Sequence, residues 1–193
     1  MKRGGCIIIV LIICLHCWYG TSASASGTDR PFPTRPGLSV SAGHIYDPNV
    51  SRDQMALLTG YLLLDHDRAA FFSTPDYLRF KLEASVGAGR DTPWRGFFAV
   101  NMLSLCYLDF IATDRLRPYL EGGIGLMYSR RRWEGQGLHF THNPVAGAGV
   151  LISPREAGHR HHMSVRLFHA SNGGLHSSNK AMNAVLLSTG VLF

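Results

Sequence analysis

From residue 38 onward, apolar and polar side chains alternate with a period of two. The pattern is cleanest over 77–87, where Leu78, Phe80, Leu82, Ala84 and Val86 fall on one face and Arg79, Lys81, Glu83 and Ser85 on the other. A period of two is that of a β-strand with one buried face. The same rhythm sets Leu120, Ile124, Leu126 and Tyr128 opposite Glu121, and Met163, Val165 and Leu167 opposite His162, Ser164, Arg166 and Phe168. Near the end of the chain, Val185, Leu187, Val191 and Phe193 share one parity. Turn residues bound these segments. Together they predict eight strands over 38–46, 54–64, 77–87, 96–108, 117–129, 138–152, 161–171 and 184–193. The second and fourth are apolar on both faces, so their alternation does not assign a side. There is no long helical period and no internal repeat, and the reading is an all-β barrel or sandwich.

Alternation alone does not say which face meets water. A soluble barrel turns its charges outward, whereas a membrane barrel turns its apolar face to lipid and its polar face inward. The N-terminal stretch favours export. Lys2 and Arg3 precede an apolar run from Cys6 to Cys14, and Ala23-Ser24-Ala25 is a small-residue cleavage site, so 1–25 reads as a secretory signal. Residues 26–37, with three prolines, read as an irregular lead-in, and 38–193 as the barrel. Of the four cysteines only Cys106 lies beyond the signal. An exported chain with no internal disulfide must be held by other means, such as a closed hydrogen-bonded sheet. No later stretch is long and apolar enough for a spanning helix, so any crossing is made by strands. The terminal strand ending in Phe193 looks like the recognition signal of outer-membrane proteins. The fold expected is an eight-stranded antiparallel outer-membrane β-barrel. With both termini in the periplasm, odd strands run outward, and the loops after strands five and seven are external. Trp94, Trp133 and Tyr128 suit the aromatic girdle at the membrane interface.

Candidate chemistry concentrates at the outer end of strand seven. His169 and Ser171 stand two residues apart, one full pleat, and so point to the same face about 6–7 Å apart along the strand. That spacing brings a base and a nucleophile within reach of each other. Both continue the lipid-facing parity of Met163, Val165 and Leu167, and Asn183 continues that of Val185 and Leu187. Polar groups on a lipid-facing stripe are costly unless they serve a function or sit at headgroup level.

The segment His169-x-Ser171-Asn172, followed by Asn179 and Asn183, resembles the active-site segment of the outer-membrane lipid A 3-O-deacylases. The resemblance implies an eight-stranded barrel that hydrolyses the 3-O-linked acyl chain of lipid A. Ser171 would be the nucleophile and His169 the base. The Asn179 side chain and the Gly174 backbone N–H would serve as oxyanion donors, with Asn172 shaping the loop. The departure is at 183, where the family's acidic residue is replaced by Asn183. An amide oxygen can accept from the histidine but brings no full charge. The resemblance implies no cofactor and a substrate, lipid A or lipopolysaccharide, already resident in the outer leaflet.

The formal charge of +6, two units of it in the leader, fits an anionic surface without demanding one, and nothing points to nucleic acid. Arg130, Arg131 and Arg132 fall on the external rim, where they could meet lipid phosphates or simply be solvated. His159, His161 and His162 have the composition of metal ligands but no carboxylate or cysteine complement, and no metal is assigned. His139, His142 and His176 lie near the external rim without a specific role. Arg79, Lys81, Glu83, Glu121 and Arg166 read as an ion-pair network in the lumen. The sequence does not choose between a monomer and a homodimer. Two other readings stay open: a barrel of the same family with a structural or lipid-binding role and no turnover, and a soluble exported lipid-binding barrel.

Overall fold

The computed structural model describes residues 34–47, 50–65, 74–90, 94–153 and 158–193. The expected signal 1–25 lies outside them. Nine strand segments follow in order: β1 (Arg35–Asp47), β2 (Val50–Asp65), β3 (Leu78–Arg90), β4 (Trp94–Tyr107), β5 (Leu116–Ser129), β6 (Phe140–His142), β7 (Val145–Ile152), β8 (Arg160–Ala170) and β9 (Met182–Leu192). Every pairing is antiparallel, β5 pairs with both β6 and β7, and β1 pairs with β9, which closes the sheet. The ordered strand β1 begins at Arg35, slightly inside the expected lead-in.

β6 and β7 are two parts of one strand. Leu126 pairs with His142 and Gly123 with Val145, so both parts hold the same register on β5. Asn143, in the interruption, still exchanges backbone bonds with Gly125 at 3.0 and 2.8 Å. The break comes from Pro144, which has no N–H to give to the ladder. Its carbonyl continues the ladder on the other side and accepts from His169 N at 3.1 Å. The barrel is therefore eight-stranded, as the alternation predicts.

The faces are inverted relative to a soluble barrel. Arg79, Lys81, Glu83, Glu121 and Arg166 are buried in the lumen, while Leu82, Val86, Ile124, Leu126, Val165, Leu167, Val185 and Leu187 are exposed on the outside. The two strands that the alternation left unassigned follow the same rule: Met55, Leu57, Leu103 and Leu105 point inward, and Leu58, Leu62, Phe98 and Met102 outward. An exposed apolar belt of this extent suits hydrocarbon and not water. The soluble-barrel reading is thereby overturned.

The lumen is packed rather than open. At mid-height two cations and two anions share a closed set of bonds. Lys81 Nζ lies 2.8 Å from Glu83 and 3.2 Å from Glu121. Arg166 reaches Glu83 at 2.6 Å and Glu121 at 2.5 Å. Charges taken out of water are tolerated when each is paired and hydrogen-bonded, as here. The Arg79 expected in this network instead pairs with Asp65 at 3.8 Å, nearer the inner end. Trp133 corrects a second expectation. It is buried, not in the interface girdle, and stacks at 6.2 Å on Phe97, which also meets Phe168 at 6.2 Å. The loop after β5 folds inward and stoppers the outer mouth. Trp94 and Tyr128 are exposed, as expected of girdle residues.

The quartet yields the first prediction. Arg166→Ala leaves Glu83 and Glu121 short of their shared cation, and should destabilise the barrel by about 3–5 kcal/mol. Urea unfolding in detergent micelles, followed by the gel-mobility shift of the folded barrel, measures this. An unchanged midpoint would contradict the role assigned to the quartet.

Candidate active site

The register built by β7, β8 and β9 determines which side chains meet at the outer end. On β8, His162, Ser164, Arg166, Phe168 and Ala170 point into the lumen. His169 therefore points outward, and it is paired directly with Asn183 on β9. Ser171, one pleat further, is bridged to His142 on β6. The two exchange backbone bonds, His142 N to Ser171 O at 2.7 Å and Ser171 N to His142 O at 3.1 Å.

The side chains form a continuous hydrogen-bonded line. His169 Nδ1–H donates to Asn183 Oδ1 at 2.7 Å, and Ser171 Oγ–H donates to His169 Nε2 at 3.0 Å. The carboxamide thus presents its oxygen to the ring. A ring protonated at Nδ1 keeps the Nε2 lone pair aimed at the hydroxyl, the arrangement a general base needs. All three side chains are half-buried on the lipid-facing side. His169 lies on β8, Ser171 is bridged to β6 directly after that strand, and Asn183 lies on β9, so the geometry is set by sheet pairing.

Beyond Ser171 the chain turns through residues 172–181. Asn172 is fully buried and holds this loop with every polar group it has. Its N–H donates to Asn179 Oδ1 at 2.9 Å, its Nδ2 to Ser178 O at 2.8 Å, and its Oδ1 accepts from Gly174 N at 3.0 Å. The Gly174 N–H, expected to face an oxyanion, is engaged by Asn172. Asn179 is exposed, with its carboxamide oxygen turned to Asn172. Gly173 and Gly174 have φ of 65° and 85°, a left-handed pair that side chains disfavour. A Cβ at Gly173 would also meet His142 Nδ1 at 3.1 Å.

The loop after β5 is stitched to this one. Gly137 N donates to Ser178 O at 2.8 Å, Lys180 N to Gly135 O at 2.9 Å, and Gln136 Nε2 to Lys180 O at 2.6 Å. That loop carries Arg130, Arg131 and Arg132, all exposed. Arg132 Nη1 donates to Gly137 O at 3.2 Å, and Arg95 bonds the Arg132 carbonyl, so the run is anchored to the rim beside the site. The histidines of 159–162 do not converge, because His162 points into the lumen and His161 away from it. His142 is the residue to which sequence reasoning gave no role although it borders Ser171. Its position follows from cross-strand pairing, for which local spacing carries no signal.

A family model described as lipid A 3-O-deacylase (PagL) matches residues 68–191, which include the whole of the site. No curated protein sequence matches the chain. The crystal structure of the outer membrane enzyme PagL is similar with a TM-score of 0.58 at 19% identity, over 80% of this chain and 97% of that one. Neisserial surface protein A, another of the similar structures, superposes with a TM-score of 0.53 at 10% identity, over 85% of this chain and 98% of that one. These likenesses establish the fold, and the family model covers well over half of the sequence. An inverted, closed eight-stranded barrel with an apolar belt, matched by that model, is an outer-membrane protein, and the chain belongs to the lipid A 3-O-deacylase family.

Proposed function

We propose that this protein is an esterase that removes the 3-O-linked acyl chain of lipid A, with Ser171 as nucleophile, His169 as base and Asn183 in the acidic residue's place. The observation that carries the reading is the hydrogen-bonded line Asn183–His169–Ser171, which lies on the lipid-facing side at the outer end of the barrel. A substrate anchored in the outer leaflet presents its esters at that level, and no passage through the packed lumen is needed. Residues 1–25 are proposed to direct export.

In the first half-reaction Ser171 Oγ attacks the ester carbonyl carbon and its proton moves to His169 Nε2. The carbonyl electron pair becomes the oxyanion. Collapse breaks the bond to the sugar 3-oxygen, which takes the proton from Nε2. Water repeats the sequence on the acyl-serine, frees the fatty acid and restores the hydroxyl. Asn183 Oδ1 keeps the proton on Nδ1 throughout, so Nε2 is always the working nitrogen. It supplies a dipole where a carboxylate would supply a charge, so the imidazolium is less stabilised than in an acid-containing triad. We assign Asn179 to the oxyanion and Asn172, with Gly174, to the loop that holds it in place. The exposed arginines 130–132 supply fixed positive charge on the rim for the lipid phosphates.

Mass spectrometry of lipid A from a bacterial host with an outer membrane tests the proposal. Cells expressing the protein should lose one 3-hydroxyacyl chain, and cells expressing Ser171→Ala should not. Unchanged lipid A with the barrel folded and inserted would establish instead a family member without turnover. With the purified protein, Asn183→Ala should lower kcat by about 10²-fold through loss of the tautomer-fixing acceptor. Asn183→Glu should raise it by about 10-fold, or about 1.4 kcal/mol, by adding a charge beside the imidazolium. Equal rates for all three residues at 183 would remove that position from the mechanism.

A further inference from the structure

We infer that His142 is a further catalytic residue, whose imidazole N–H donates to the oxyanion that forms when Ser171 attacks an ester. The inference rests on Ser171 being the nucleophile. His142 lies directly across the sheet from Ser171, and the two exchange both backbone hydrogen bonds, at 2.7 and 3.1 Å. Residues so paired project from the same face with their Cβ atoms about 5.5 Å apart. The His142 side chain therefore stands on the outward face beside the Ser171 hydroxyl. Its neighbour Thr141 is buried in the lumen, which confirms the parity.

The orientation of the attack selects the role. The serine proton leaves toward His169 Nε2, 3.0 Å from Oγ. The carbonyl oxygen of the substrate then lies on the side of Oγ away from that ring. The groups bordering Ser171 besides His169 include the start of the 172–181 loop, which follows it in the chain, and His142, which is paired across from it with its Nδ1 edge against Gly173. The loop's nearest expected donor, the Gly174 N–H, is occupied by Asn172 Oδ1 at 3.0 Å. A tetrahedral intermediate needs more than one fixed donor. An imidazole N–H held on a paired strand is such a donor, and it needs no loop rearrangement. The left-handed Gly173, with φ of 65°, leaves the space that the ring uses, since a Cβ there would press on it at 3.1 Å.

The test measures two reactions of the full-length folded barrel in micelles: lipid A deacylation, and labelling of Ser171 by an alkyl fluorophosphonate. In the second, Oγ bonds to phosphorus, fluoride leaves, the serine proton passes to His169, and the phosphonyl oxygen takes the position of the oxyanion. His142→Ala should lower kcat by about 10²–10³-fold with KM within about 3-fold, and should slow labelling to match. His142→Asn and His142→Gln, which restore an N–H near one or other ring nitrogen, should recover at least about 10-fold over alanine in one of the two. Labelling by His142→Ala at the unaltered rate would overturn the inference, as would folded Asn and Gln variants no better than alanine. Normal labelling of the unaltered protein without lipid A turnover would overturn the substrate reading alone. Absence of labelling would overturn both.

Discussion

Everything at the outer end of this barrel depends on one constraint, the register of the closed sheet through β6, β7, β8 and β9. The side-chain period of a strand is two, so a slip of one residue on any of these strands would carry its whole outward set into the lumen. As paired, His169 faces Asn183, and Ser171 faces His142. Pro144 interrupts one strand without shifting it, because the Asn143–Gly125 exchange and the Pro144 carbonyl keep the ladder in step. Closure leaves no sheet edge in lipid, and it also spares the site from relying on a loop for its geometry.

The same alternation that hides charge inside the barrel leaves the site short of it outside. Lys81, Glu83, Glu121 and Arg166 neutralise one another in the lumen, buried from both water and lipid. On the other face the Asn183–His169–Ser171 line contains no permanent charge. A neutral amide is a less costly residue than a carboxylate to keep at the edge of a hydrocarbon belt, and a weaker partner for an imidazolium. Position 183 exchanges one effect for the other. Fixed positive charge is placed instead on the rim, on the arginines 130–132 of a loop stitched to the site through Gly135, Gln136 and Gly137.

Much of this was legible in the sequence, for physical reasons. The charged and apolar parities of 78–86 differ so sharply that the strand and its two faces follow, while the choice of the apolar face as the lipid face came from the N-terminal leader, the terminal strand and the resemblance; His169, Ser171 and Asn183 share the parity of that face. The strands β2 and β4 gave no sidedness, because a packed lumen needs Met55, Leu57, Leu103 and Leu105 as much as lipid needs Leu58 and Met102. Trp133 read as a girdle residue because tryptophan suits both an interface and a stopper, and only the inward fold of its loop decides between them. His142 and the engagement of the Gly174 N–H were illegible, since both depend on which strand or side chain lies opposite, and local spacing does not encode that.

The central claim is that an amide oxygen can do the orienting work of the missing acid by fixing which nitrogen of His169 carries the proton. Nitrogen-15 NMR of the histidine-labelled barrel in micelles, with His169 assigned by its loss in His169→Gln, reads that proton directly. The account predicts that the neutral ring carries its proton on Nδ1 and leaves Nε2 bare, reverting to a mixture of tautomers in Asn183→Ala. A ring protonated at Nε2 in the unaltered protein would contradict it, since no lone pair would then face Ser171.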